Sequence, residues 1–249
     1  MHLRLELREH TPLWLNLALP FSAVLATLVL CSGLVALADA NVIDAYSKLF
    51  LSAVSSRFNM VETFVKAAPL ILTGLAVTVA FKAKFWNIGA EGQLLAGAMG
   101  AAFVGGIESL PTFSLVPLMI IFSAVCGACW ALLPAVLRTR FKVDDVVTTL
   151  LLNFVIFYIM TALLDGPWKD PLSGYPDSPD IRMDAEFPIL LRATRLHLGV
   201  LLSLVAAPLV WLLIRRTTLG FSISVVGENP EAAAYGGIPI TRVLIYTAL

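Results

Sequence analysis

Long apolar runs alternate with short polar intervals along the whole chain. Residues 13–37, 64–81, 113–137, 146–164 and 198–214 are each an apolar run near or above the length a helix needs to cross a bilayer, about 20 residues. A further run lies in residues 68–106, APLILTGLAVTVAFKAKFWNIGAEGQLLAGAMGAAFVGG, whose first part is apolar, centre polar and last part built of small residues. Gly97, Ala101 and Gly105 recur there every four residues and share a helix face, which lets a neighbouring backbone come close. The pattern predicts an all-α, polytopic transmembrane helical bundle with about six full spans. Residues 238–249 are apolar but too short to cross, so they are expected to begin a truncated seventh span.

The polar centre, FWNIGAEGQ, interrupts this bundle. Asn87, Glu91 and Gln93 fall against the hydrocarbon region, where polar groups persist only when buried in protein or lining a cavity. A broken or re-entrant joint near residues 85–93 is the expectation. Between residues 39 and 62, Tyr46, Leu49, Phe50, Ala53 and Val54 repeat at helical spacing, as in a short amphipathic helix or an ordered loop. Residues 165–197 form one long connection in which Pro167, Pro171, Pro176, Pro179 and Pro188 oppose a helix. The whole chain, 1–249, reads as a single transmembrane domain.

Composition agrees with the pattern. The 249 residues are 59% hydrophobic and 14% charged, and the mean hydropathy of +0.87 leaves too little charge for a water-soluble globule. Net charge is zero with no basic block, which removes the electrostatic case for nucleic acid. Cys31, Cys126 and Cys129 lie inside apolar runs and read as small packing residues. The first run, about 25 residues, is longer than the ~7–15 apolar residues of a secretory signal, so an uncleaved helix is expected.

Charge near the ends of the spans sets the orientation. Placing the tail with Arg4 and Arg8 in the cytoplasm puts Lys82 and Lys84, then Arg138, Arg140 and Lys142, then Arg215 and Arg216 on the inner side. Residues 165–197 then lie outside the cytoplasmic membrane and residues 217–237 inside the cell.

Few residues are candidates for chemistry. The histidines, His2, His10 and His197, fall at the tail and a span boundary, so no buried triad or metal cluster assembles. The chain lacks a G-x-x-x-x-G-K-[ST] loop, so a transport cycle driven by ATP needs its motor on another polypeptide. Catalytic and metal-binding residues are therefore expected to be absent. Two polar sets remain as a substrate pathway. Asp145, Thr149, Asn153, Phe157 and Thr161 lie four apart on one helical face, of which Thr149, Asn153 and Phe157 are the pathway candidates. Phe85, Trp86, Asn87, Glu91 and Gln93 form the other set. Hydrogen bonds to the helix's own backbone or to a neighbouring helix would equally account for Thr149, Thr161 and Asn153. Trp86 beside two lysines also fits an interfacial anchor.

Residues 217–237 carry the third feature. Asn229 is placed as an N-cap, Pro230 at the first helical position, Glu231 in the first turn and Gly236 near the stop of a short helix. Such a knob between two spans suits docking by a soluble partner.

At this segment the sequence resembles a known family. GENPEAAAYGGI is similar to the cytoplasmic coupling motif of permease subunits of ATP-binding-cassette importers for ribose-type sugars, nucleosides and branched-chain amino acids. APLILTGLAVTVAFKAKFWNIGAEGQ, VDDVVTTLLLNF and the GPWKDPLSGYPDSP loop followed by TRLHLG resemble the nucleoside and simple-sugar branch, from about Tyr46 onward. Ser222 and Ser224 depart from the family's basic residues before the coupling glycine, and Asp144-Asp145 stands where Asn-Glu is common.

The resemblance implies a multi-pass subunit of the cytoplasmic membrane, without cofactor of its own, importing a nucleoside or simple sugar by alternating access. Its implied partners are an ATPase that binds ATP and Mg, a second permease and an extracytoplasmic substrate-binding lipoprotein. Gly227, Asn229, Ala232, Ala233 and Gly237 fall in the coupling element, with Glu231 in its first turn, and Asn87, Gly89, Glu91, Gly92 and Gln93 in the polar joint. An ion-coupled secondary transporter and a structural membrane subunit are the alternatives. An intramembrane protease is a poorer one, because Glu91 and Asp145 make a weak catalytic pair.

Overall fold

A computed structural model describes residues 12–169, 174–178 and 181–249. Among them the regular elements are helices, with one isolated antiparallel bridge between Ile189 and His197, so the all-helical expectation holds. The tail with Arg4 and Arg8, and Pro171 and Pro179 of the long connection, lie outside the described residues.

The chain divides into two units, Met1–Met60 and Val61–Leu249. In the first, α1 (Leu13–Leu37) carries Pro20 within it, a residue that membrane-length helices tolerate. The segment expected around Tyr46 is helical: α2 (Val42–Leu51) starts where the Asn41 side chain accepts from the amides of Ile43 and Asp44, at 2.9 and 3.3 Å. The Tyr46 hydroxyl donates to the Leu28 carbonyl and ties α2 to α1.

α3 (Arg57–Lys82) runs from the end of the first unit into the second. The next helix, α4 (Ala90–Gly105), has 16 residues, about 24 Å at 1.5 Å per residue, which falls short of the ~30 Å hydrocarbon core. The joint delays its start to Ala90 and Gly106 ends it. Among the described residues, five helices are long and apolar enough to cross a membrane: α1, α3, α5 (Thr112–Phe141), α6 (Asp145–Asp165) and α7 (Leu198–Arg216). This is one fewer by length than the apolar pattern predicts.

Small residues decide how α4 packs. A Cβ on Gly97 would sit 2.9 Å from Ser123 Oγ, and one on Gly100 would sit 2.7 Å from Cys126 Sγ. α4 and α5 therefore approach closely along the strip that the sequence marks. Cys126 acts here as a packing residue.

After α7 the chain turns into α8 (Thr218–Glu228), a helix that the glycine-punctuated sequence does not announce. Gly220 lies within it because a Cβ there would be 2.3 Å from the Leu213 carbonyl oxygen. Thr217 caps its start by accepting from the Gly220 amide at 3.0 Å. α9 (Pro230–Tyr235) and α10 (Ile240–Ala248) follow. One apolar cluster joins Ala80 of α3, Phe85, Ala135 of α5, Ile223 and Val226 of α8, Ala233 of α9 and Val243 of α10.

The long connection is ordered where it is described. Arg182 donates to the carbonyls of Glu108 and Leu110, at 3.1 and 2.8 Å, and to Asp184 Oδ2 at 2.8 Å. Thr112 Oγ1 donates to the same carboxylate at 3.0 Å, so the connection is pinned to the start of α5. Near its far end, Arg195 Nε donates to Glu62 Oε1 at 2.9 Å.

Candidate functional site

The broken joint is closed by the polar face of α6. α3 stops in a Schellman turn: Lys84 takes a left-handed φ of 50°, Lys84 N donates to the Phe81 carbonyl at 2.9 Å, and Phe85 N donates to that of Ala80 at 3.0 Å. From there to Ala90 the backbone is not helical and its polar groups need other partners. Trp86 N donates to Asp145 Oδ2 at 2.5 Å and Ile88 N to Thr149 Oγ1 at 3.2 Å. Asn153 acts twice: its Nδ2 donates to the Ile88 carbonyl at 3.0 Å, and its Oδ1 accepts from Gly92 N at 3.0 Å. Asn87 Oδ1 accepts from Gly89 N at 2.8 Å and tightens the turn into α4.

The four-residue spacing of Asp145, Thr149 and Asn153 is thus the spacing of a brace. Each step of one helical turn along α6 meets the next open backbone group of the joint. Parts of the two polar sets singled out in the sequence thus meet in one assembly: the joint at residues 85–88 with Asp145, Thr149 and Asn153.

Arg138, at the end of α5, completes it. Its guanidinium pairs with Asp145 Oδ2 and lies over the Phe85 ring, 5.2 Å from the centroid. One carboxylate therefore holds the joint, the end of α5 and the start of α6 together.

The candidate pathway residues separate by position. Phe85, Asn87 and Thr149 are enclosed and Asn153 is half-buried between joint and α6. Trp86, Glu91 and Phe157 are exposed, with Trp86 edge-on to Phe81 at 4.8 Å and Phe157 edge-on to Tyr158 at 5.9 Å. Gln93 lines a groove of about 600 Å³ between α3, α4, α5 and α10, together with Thr73 and Ser123.

Sequence reasoning missed two residues here. Trp130 lines a second groove of about 680 Å³ with Phe103, Phe122 and Trp168, and its indole N–H is buried without an acceptor. A tryptophan near the middle of an apolar run, away from the interface where tryptophans usually anchor, was the available signal. Arg138 was the other, read only as one charge in an inner cluster.

The coupling candidates form the knob. Asn229 Oδ1 accepts from the amides of Glu231 and Ala232, both at 3.0 Å, and Pro230 occupies the first turn of α9. Gly237 follows with a φ of 78°, a conformation suited to glycine. Glu231, Ala232 and Tyr235 face outward, and Tyr235 is 97% exposed. Ala233 is wholly buried, so it packs the knob against the apolar cluster. Gly227 is buried too, and a Cβ on it would stand 2.0 Å from the Lys82 carbonyl oxygen. α8 therefore rests directly on the end of α3.

The family description "Branched-chain amino acid transport system / permease component" matches residues 59–249. The chain belongs to this permease family. Among curated proteins, the permease is 37% identical to the glucose ABC transporter permease protein TsgB13 of Haloferax volcanii, covering 100% of this chain and 68% of that one. It is 30% identical to the guanosine ABC transporter permease protein NupP of Bacillus subtilis, over 94% of this chain and 68% of the relative. With the nucleoside ABC transporter permease protein NupB of Lactococcus lactis it shares 32% identity, over 82% and 59%. No solved structure matches. The permease is a multi-pass membrane component of an ABC transporter, and the ATPase that binds ATP is a separate chain.

Proposed function

We propose that this permease forms part of the path by which an importer moves a simple sugar or a nucleoside across the cytoplasmic membrane, with its N-terminus in the cytoplasm. The relatives' named solutes, glucose, guanosine and nucleosides, support that solute class. Basic residues at the ends of α3, α5 and α7 support the orientation.

A single observation carries the coupling part of the reading. α9 presents Tyr235 outward and buries Ala233 in the cluster that also contains Phe85 of the joint. A push on the knob is then delivered to the joint through close-packed side chains. Gly227, Asn229, Glu231, Ala232, Ala233 and Gly237 build the knob on which the ATPase acts. Phe85, Asn87, Thr149 and Asn153 hold the joint's shape, while Trp86, Glu91, Gln93 and Phe157 remain available to border the solute path. A second permease completes the path, and an extracytoplasmic lipoprotein supplies the solute. Coupling requires the knob to make different contacts in the two states of the ATPase.

Uptake into vesicles carrying the assembled transporter tests this reading. Accumulation of labelled glucose or guanosine is expected to need ATP and the binding lipoprotein, and to survive collapse of proton and sodium gradients. Uptake lost on gradient collapse with ATP maintained contradicts it.

A further inference from the structure

We propose that the cleft between α3, α7 and α8 binds the phosphate headgroup of an anionic phospholipid such as phosphatidylglycerol. The cleft, of about 540 Å³, is lined by Lys82, Arg215, Trp211, Thr78, Ser224 and Glu228 among others. It lies where two membrane-length helices end: Lys82 is the last residue of α3, and Arg215 is in the last turn of α7.

Charge defines the ligand. Neither Lys82 nor Arg215 makes an ion pair or a side-chain hydrogen bond among the described residues. Glu228 is the one acid lining the cleft, which leaves one positive charge in excess. The hydroxyls of Thr78 and Ser224 already donate to the carbonyls of Gly74 and Gly220, at 2.7 and 2.9 Å. The charged donors left for a ligand are the ammonium of Lys82 and the guanidinium of Arg215, and these suit phosphate oxygens.

Surroundings favour a lipid over a soluble anion. Trp211 stands one helical turn before Arg215 on the same face and is half-exposed, as an aromatic at headgroup depth would be. Leu204, two turns before Trp211, and Leu212, three residues before Arg215, are exposed on this side of the same helix and offer apolar surface for an acyl chain. Basic pockets between spans at the membrane surface are a recognised setting for anionic headgroups.

The site adjoins the knob. Ser224 and Glu228 belong to α8, whose Gly227 rests on the Lys82 carbonyl, and Asn229 then caps α9. A headgroup held by Lys82 and Arg215 fixes the junction from which the knob projects. Binding itself is independent of the coupling role proposed above.

Native mass spectrometry of the detergent-purified full chain tests the proposal, with phosphatidylglycerol, phosphatidylcholine or inorganic phosphate added separately. The wild type is expected to retain phosphatidylglycerol in preference to phosphatidylcholine, with retention falling about fivefold for each cation removed in Lys82→Gln and Arg215→Gln. Lys82→Arg keeps retention. Arg216→Gln, one residue beyond the cleft lining, leaves it unchanged, and Glu228→Gln raises it without removing a cation. Equal retention by wild type and the Lys82→Gln, Arg215→Gln double variant overturns the proposal. So does displacement of the retained lipid when inorganic phosphate is added to it, which marks a free-anion site.

Discussion

Asp145 accepts the Trp86 amide hydrogen at 2.5 Å across 59 residues of sequence and pairs with Arg138 through the same oxygen. A single oxygen thus anchors the first open backbone group of the joint and the cation at the end of α5. Replacing Asp145 by Asn keeps an acceptor and removes the charge that Arg138 faces. Loss of a charge-assisted bond of this kind costs about 2 kcal/mol. Asp145→Asn is expected to lower the melting temperature of the detergent-purified chain, while Arg138→Lys, which retains the charge and loses the guanidinium over the Phe85 ring, lowers it less.

Asn153 carries two bonds, and its replacement separates packing from polarity. Asn153→Leu has a similar size and leaves the Ile88 carbonyl and the Gly92 amide without partners. Each such group costs about 1–3 kcal/mol when buried. The expected result is greater loss of stability than for Thr161→Val, because the Thr161 hydroxyl bonds only to its own helix, at the Phe157 carbonyl. Melting of both variants, measured side by side, checks the ranking.

Gly227 and Gly236 are close in sequence and opposite in tolerance. A Cβ at Gly227 would meet the Lys82 carbonyl oxygen at 2.0 Å and Ala83 Cα at 3.1 Å, so Gly227→Ala must push α8 off α3. The expected cost is about 3 kcal/mol, the upper range for overpacking. At Gly236 the nearest atom is 3.4 Å away, and Gly236→Ala is expected to stay within about 0.5 kcal/mol of wild type. Size-exclusion profiles and melting curves distinguish the two.

Acid should release the long connection. Hydrogen bonds from Thr112 and then Arg182 hold the Asp184 carboxyl below its usual range. A carboxyl depressed in the folded state stabilises it fully above the unfolded value of about 3.9, and that contribution is lost as pH falls through the lower folded value. Protease cleavage near Met183 is expected to be unchanged from neutral pH down to about 4 and to rise only below it. Asp184→Asn is expected to give faster cleavage at neutral pH.

Much of this arrangement is legible in the sequence because lipid imposes long apolar runs, and α1, α3, α5, α6 and α7 follow them. The Asn229 cap is legible for the same kind of reason: it satisfies donors two and three residues away. What distant segments decide is not legible. Gly220 and Gly227 lie inside α8, where Leu213 and Lys82 pass too close for a side chain. Asn153 and Thr149 read equally as pathway residues or as hydrogen-bonding partners within the bundle, and the partners that decide it lie 61 to 65 residues away in the joint. Ala233 and Tyr235, two residues apart on one short helix, differ completely in exposure because the apolar cluster covers only one face.

The position of the knob is tested most directly by labelling a single cysteine. Tyr235→Cys is made in a chain whose Cys31, Cys126 and Cys129 are replaced by alanine, and it is exposed to a membrane-impermeant maleimide. No labelling in intact cells, rapid labelling in inside-out vesicles and protection by the bound ATPase are expected. Labelling from the outside of intact cells, or inside-out labelling that the ATPase leaves untouched, contradicts the coupling role of α9.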